Sequence, residues 1–295
     1  MSSFTRYLPL CILFLLPCGP ALLAQGFSGG FRAGLNFMTI DGDREGNGNM
    51  TFERFNRTTG FHVGATFAYG FTDLVGVKAN FMYTQKGYER VYDGPGFLFL
   101  YQNANDMAGT AQTASRVVSE IDVVNSYIEI PVVGYYKIGP VEIEGGLYAG
   151  FLVNSRASGA LRYNLPVLGP DEELVVNVEA NYFTDEAGFA SRLAVAETPL
   201  PGSSGQVFPP SIIGAYYNNT DDGRLYQSLD FGAIGGVAVA LNNGLFLGLR
   251  YQLGLSDITR GENDLAAQLE NGQRQFNTED EDRYRVIQAS IGFRF

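Results

Sequence analysis

The 295 residues carry 20 basic and 31 acidic side chains, a formal charge of −11, with 37 Gly, 22 Phe, 17 Tyr and no Trp. That acidic balance disfavours non-specific nucleic-acid binding, so no nucleic-acid partner is expected. Both cysteines, Cys11 and Cys18, lie near the start, which excludes a disulfide framework or a thiolate metal site from the rest of the chain.

Arg6 precedes an apolar run over Leu8–Leu16, and small residues follow up to Ala24. This describes a secretory signal peptide over 1–24, too short for a membrane-spanning helix, with the mature domain over 25–295. A lipid attachment at Cys18 is disfavoured by Pro17 and by the apolar residues that follow. No later run is apolar enough for a transmembrane helix.

Glycine and aromatics in short alternating runs point to an all-β chain. In chain order, the first apolar series is Phe31, Ala33, Leu35, Phe37, and the second is Phe61, Val63, Ala65, Phe67, Tyr69. The third is Val75, Val77, Ala79, Phe81, Tyr83, and the fourth Ile128, Ile130, Val132, Tyr136. Val141, Ile143, Leu147, Ala149, Phe151, Val153 make the fifth, and Leu229, Phe231, Ala233, Val237, Val239 the sixth. The last two are Leu245 through Leu255 and Ile287, Ala289, Ile291, Phe293, Phe295. Tight turns fall at Gly70–Asp73, Gly139–Pro140 and Asn242–Gly244. Long connections fall at about 41–57, 91–123, 155–227 and 258–284. Short turns at one end and long loops at the other predict an eight-stranded antiparallel up-and-down transmembrane β-barrel with long extracellular loops, both termini periplasmic.

The polar series of these strands then faces the lumen. Lys78, Glu129, Lys137, Glu142, Glu144, Asp230, Arg250 and Arg294 share it, joined by His62. Eight strands leave an interior just wide enough for side chains, so an ion-paired filled core is expected in preference to an open pore. A proton or ion path is the alternative. Phe293 and Phe295 end the last strand, and a terminal aromatic there resembles the signal read by the barrel-assembly machinery of Gram-negative outer membranes.

The blocks "GFRAGLNFMTI", "GFHVGATFAYGFTDLVGVKANFMYTQKG", "SYIEIPVVGYYKI", "GGLYAGFLV", "DFGAIGGVAVAL" and "GLFLGLRYQLGLSDI" resemble successive pieces of the PorT-like outer-membrane β-barrel family. Tyr127–Pro131 is the most specific of them. The resemblance covers nearly all strands from about 27 to 295 but not the loops. It implies an outer-membrane location and offers no catalytic residues. Some members of that family are similar to a component of a secretion and gliding apparatus, which implies a surface or secretion-system protein as partner.

Within the third long loop, 159–183 reads as a hairpin turning at Gly169–Glu172. It either extends the barrel wall above the membrane or makes the barrel ten-stranded; Pro166 favours the former. Asp41, Asp43, Glu45 and Asn47 alternate in "DGDREGNGN", a pattern of hard oxygen ligands that suits calcium, but Phe52 stands where a calcium loop carries Glu. The acidic run 278–283 is expected to be solvated, or to bridge to lipopolysaccharide through divalent ions. His62 is the only histidine, and no inward serine is identified beside it, so no enzyme is expected. Loop aromatics at Phe97–Tyr101, Tyr182–Phe183 and Tyr216–Tyr217 are either partner contacts or a cap. The expectation is a non-enzymatic outer-membrane barrel in contact with lipid and lipopolysaccharide. Alternatives are a passage protein for small solutes or ions and a lipid-modifying enzyme.

Overall fold

A computed structural model describes residues 26–48, 50–100, 110–166, 173–184, 186–187, 224–241, 244–264, 266–273 and 275–295. The signal segment 1–24, the turn at 169–172, Asn242–Asn243 and Tyr216–Tyr217 lie outside these residues. The strands are β1 (Phe27–Asp41), β2 (Gly46–Asn47), β3 (Met50–Thr51), β4 (Glu53–Asn56), β5 (Thr58–Gly70), β6 (Val75–Leu100) and β7 (Thr110–Ile138). They continue as β8 (Val141–Asn164), β9 (Leu174–Asn181), β10 (Glu186–Ala187), β11 (Leu229–Ala240), β12 (Leu245–Gly254) and β13 (Arg283–Arg294).

Eight strands close a ring in the order β1–β5–β6–β7–β8–β11–β12–β13, each neighbouring pair antiparallel. The seam between β13 and β1 is zipped from Gly30↔Arg294 to Asp41↔Arg283, so the ring has no open edge. β9 does not enter it. β11 takes the lower part of β8, from Val141 to Phe151, and β9 takes the upper part, from Ala157 to Tyr163. The 159–183 hairpin therefore raises the wall above an eight-stranded barrel.

The loop boundaries need correction. β6 and β7 stay paired from Glu89↔Asp122 up to Leu100↔Thr110, so most of 91–123 is strand, as is 155–164 at the top of β8. At 26 residues, β6 is far longer than the roughly 9–11 a membrane crossing needs. The 41–57 connection holds β2, β3 and β4, while 258–284 remains mostly irregular.

Around the lower barrel the apolar series faces out. Leu147 is 64 % exposed and Leu249 50 %, while Glu144 and Arg250, on the opposite face of the same two strands, are 4 % and 1 % exposed. Phe31, Phe61, Phe67, Phe81, Ile130, Phe151, Phe231 and Ile291 continue this belt around the ring. A continuous apolar band of that extent cannot rest in water, and an acyl-chain environment accounts for it.

Higher up, the polarity reverses. Ser126 pairs with Asn154 but Tyr127 with Leu152, so Val153 is an extra residue in β8. Below this bulge Glu142, Glu144, Tyr148 and Leu152 are buried; above it Ser155, Ala157, Leu161 and Tyr163 are. One alternating pattern, apolar at odd positions from Val141 to Leu165, thus faces lipid below the bulge and the interior above it. β7 reaches the same inversion in its sequence, with Ile121 and Val123 buried between exposed Glu120 and Asp122. The result is a water-facing tower with its own apolar core, including Leu98, Val117, Ile121, Leu161, Tyr163, Val176 and Ile258.

Candidate functional site in the barrel lumen and its mouth

The lumen is filled by layers of charge. Nearest the short turns, Lys78 pairs with Glu142 and lies 3.2 Å from Glu144. Arg250 grips Glu144 through Nε and, at 3.0 Å, through Nη2. Arg294 donates to Glu142 at 3.2 Å, and Arg32 stands 3.9 Å from Glu144. The register explains the Arg250–Glu144 clamp: both residues flank Gly236 on the intervening strand. A Cβ at Gly236 would come 2.8 Å from Arg250 Cγ, so only glycine leaves the two side chains a direct path.

One layer higher, Lys86 holds Glu129 at 2.7 Å and Asp230 at 2.8 Å, with its ammonium 4.0 Å from the Tyr148 ring centroid. Gln252 donates to Glu129 at 2.7 Å, and Ser256 to Asp230 at 3.1 Å. Above that lie four buried tyrosines. The Tyr88 and Tyr226 hydroxyls are 2.7 Å apart, Asn125 donates to Tyr284 at 2.7 Å, and Tyr127 meets Tyr284 edge to face. Tyrosine has an apolar body and a polar tip, so this layer joins the ionic lumen to the apolar tower core. Buried pairs of this kind recover their desolvation cost only when the remaining lone pairs and protons find partners; Glu142 and Glu144 are each shared between cations, while Arg32 Nε and Nη1 and Arg250 Nη1 are buried without a hydrogen-bond partner.

Of the eight charged residues expected in the lumen, Lys78, Glu142, Glu144, Arg250 and Arg294 form one network, and Glu129 with Asp230 a second. Lys137 joins neither. It stands at the short-turn rim, 5.3 Å from the Tyr135 ring centroid, in a cavity of about 110 Å³ beside Pro140 and Arg294. Sequence reasoning missed Lys86, because the third strand was ended at Thr84, and it missed Arg32, which alternates inward between Phe31 and Ala33. Extending the third polar series by two residues finds Lys86; Arg32 already lies within the first.

Ser290 was missed as well. It donates to His62 Nε2 at 3.0 Å, and His62 Nδ1 donates to Asn36 Oδ1 at 2.7 Å. Asn36 Nδ2 donates to Thr84 and to the Gln85 carbonyl, which leaves Oδ1 as the acceptor and fixes the tautomer. Gly34 lies between Ser290 and His62 in the register, and a Cβ there would come 2.8 Å from the His62 ring. The order hydroxyl–imidazole–amide is that of an activated nucleophile. Its surroundings differ: Ser290, His62 and Asn36 are 7 %, 1 % and 0 % exposed, and a substrate could reach them only through the ionic or the tyrosine layer. The trio forms a buried hydrogen-bonded strut across β13, β1 and β5.

At the long-loop mouth, Asp264, Asp280 and Asp282 bring carboxylate oxygens within 4.8 Å of one another. They line a cavity of about 50 Å³ with Glu45, Glu53, Asn263, Asn277, Tyr88 and Tyr226. Burial pushes the Asp264 carboxyl up to about 7 and that of Asp282 up to about 8. The run 278–283 is therefore only half solvated: Glu279 and Glu281 face water, while Asp282 is buried. Asp41, Asp43, Glu45 and Asn47 turn to separate partners. Asp41 pairs with Arg285 at 2.8 Å, the Asp43 N–H donates to Asp280, Glu45 lies 3.3 Å from Arg90, and Asn47 pairs with Met50 in a small hairpin.

The loop aromatics that fall on described residues pack mostly inward: Phe97, Leu98 and Tyr182 are buried, and Phe183 lies under the Arg224 guanidinium. Tyr101 lies outside the described residues. Phe295 remains exposed at the short-turn end, its ring 5.9 Å from that of Phe31 and its N–H bonded to the Gly29 carbonyl; Phe293 faces outward beside it.

The family described as Outer membrane protein beta-barrel domain matches residues 23–260. No curated protein matches the chain. Among solved structures it is similar to Neisserial surface protein A, at 12 % identity and a TM-score of 0.36, over 92 % of this chain and 100 % of that one. It is also similar to Ail, the attachment invasion locus protein of Yersinia pestis, at 10 % identity and 0.34, over 92 % and 99 %. OprG of Pseudomonas aeruginosa follows at 11 % and 0.32, over 92 % and 96 %. A closed eight-stranded ring, an apolar belt and a family match over most of the length converge: the chain belongs to the outer membrane protein beta-barrel domain family and is an outer-membrane β-barrel protein.

Proposed function

We propose that this protein is a non-conducting, non-enzymatic barrel that anchors a rigid extracellular tower in the outer membrane, with both termini in the periplasm. The observation that carries the reading is the filled lumen. Lys78, Lys86, Arg250, Glu129, Glu144 and Asp230 are buried and bound to one another across the bore, with the tyrosine layer above them. A solute would have to break several buried ion pairs at once, each costing about 3–5 kcal/mol when one partner is left alone. The tower is then the surface for binding or envelope structure, and a surface or secretion-system protein is the partner that the PorT-like blocks imply. Phe295 and Phe293 serve the barrel-assembly machinery, and the belt meets lipid and lipopolysaccharide.

Planar-bilayer recording on the purified chain tests the central claim. The expected trace is flat, without steady single-channel openings. Steady openings in the native chain, altered in size by Glu129→Ala or Arg250→Ala, would replace this reading with a passage function.

A further inference from the structure

We infer that the extracellular mouth holds a hard divalent cation of the calcium type, ligated by Asp264, Asp280 and Asp282. Three carboxylates converge within 4.8 Å from two separate stretches of the 258–284 connection. The second observation is Asp282 itself. It is 7 % exposed, it lines the cavity, and its Oδ1 is buried without any hydrogen-bond donor. Its Oδ2 is already taken by the Thr259 hydroxyl at 2.6 Å. A buried carboxylate oxygen with no donor leaves a desolvation cost that a cation would relieve.

Charge around the cavity points the same way. Five carboxylates line it, those of Glu45, Glu53, Asp264, Asp280 and Asp282, and Arg90 is the single basic side chain among the lining residues. Arg90 is held by Glu45 and Glu53. Among the described residues, no salt bridge reaches Asp264, Asp280 or Asp282. A volume of about 50 Å³ accommodates an ion and its waters. Calcium takes roughly six to eight oxygens. The Asn263 and Asn277 amides line the same cavity, and water completes the shell. Of the 41–47 series, Glu45 lines this cavity and the Asp43 N–H donates to Asp280, while Asp41 and Asn47 pair elsewhere. An ion here would tie the irregular 258–284 connection to the top of β13, where Asp282 precedes Arg283.

The test is calorimetric titration of CaCl2 into the full chain, purified in detergent and stripped with chelator. The expected result is one ion per chain, with a Kd of roughly 0.1–1 mM, the range of extracellular calcium modules. Repeating the titration in buffers of different ionisation heat should reveal proton release on binding. Asp264→Asn, at the more exposed position, should weaken binding at least tenfold, and so should Asp282→Asn; Asp93→Asn should not. Absence of saturable binding to the native chain would overturn the inference. So would native-like affinity in a folded Asp264→Asn or Asp282→Asn variant, or loss of binding in Asp41→Asn instead.

Discussion

Lys86 neutralises Glu129 and Asp230 together, and nothing in the register offers a replacement. Lys86→Met would leave two buried carboxylates sharing no cation, at a cost of about 3–5 kcal/mol. Denaturant unfolding in detergent should show a correspondingly lower midpoint. Ser290→Ala should cost only about 1 kcal/mol, the value of one neutral hydrogen bond, and should leave ester and phospholipid hydrolysis at the background rate. A serine-dependent hydrolysis would contradict the strut assignment. At the mouth, the Asp282 carboxyl rises from 3.8 to about 8 on folding, so between these values the folded state holds a proton that the unfolded chain has released. Its stabilising share is complete below about pH 4 and is lost as pH climbs through 8. In chelator, the thermal midpoint of the native chain should fall across that window. Asp282→Asn should flatten the slope.

Among the elements, β8 shows how one residue partitions a strand between two solvents. Deleting Val153 removes the bulge but leaves the faces above it unchanged, because Asn154 then follows Leu152 opposite Ser126. Arg156 and Arg162 would stay outside and Leu161 and Tyr163 inside the apolar tower core. Limited proteolysis should find the tower intact in the deletion and cut readily in Leu161→Asp, which puts a charge into that core. The same feature marks the limit of what the chain's letters reveal. Eight lipid-facing strands are legible because period-two alternation next to glycine has few other uses. The upper halves of β6 and β7 are not, since a reader who equates apolar alternation with lipid contact has no sign that it has moved inside. Lys86 was lost with that strand end. The Asp264–Asp280–Asp282 cluster was illegible for another reason: it joins two segments without periodicity, whose meeting is fixed by the fold around them.

For the molecule as a whole, orientation is the open geometrical variable, and the described residues contain no cysteine to interfere with labelling. Asp122→Cys, exposed on the outer face of the tower, should react with a membrane-impermeant maleimide in intact cells. Asp73→Cys, in the short turn between β5 and β6, should react only after the envelope is opened. The reverse pattern would invert the barrel.

The length of β6 sets how far the tower stands from the bilayer. From Thr84 to Leu100, at the usual rise and tilt, the strand climbs roughly 40 Å beyond the apolar belt. Electrostatic potential in physiological saline decays over about 8 Å. Whatever docks near Leu100 therefore sits several screening lengths clear of the phosphate-rich lipid surface, and its encounter rate answers to the tower's own charges rather than to the lipid composition beneath.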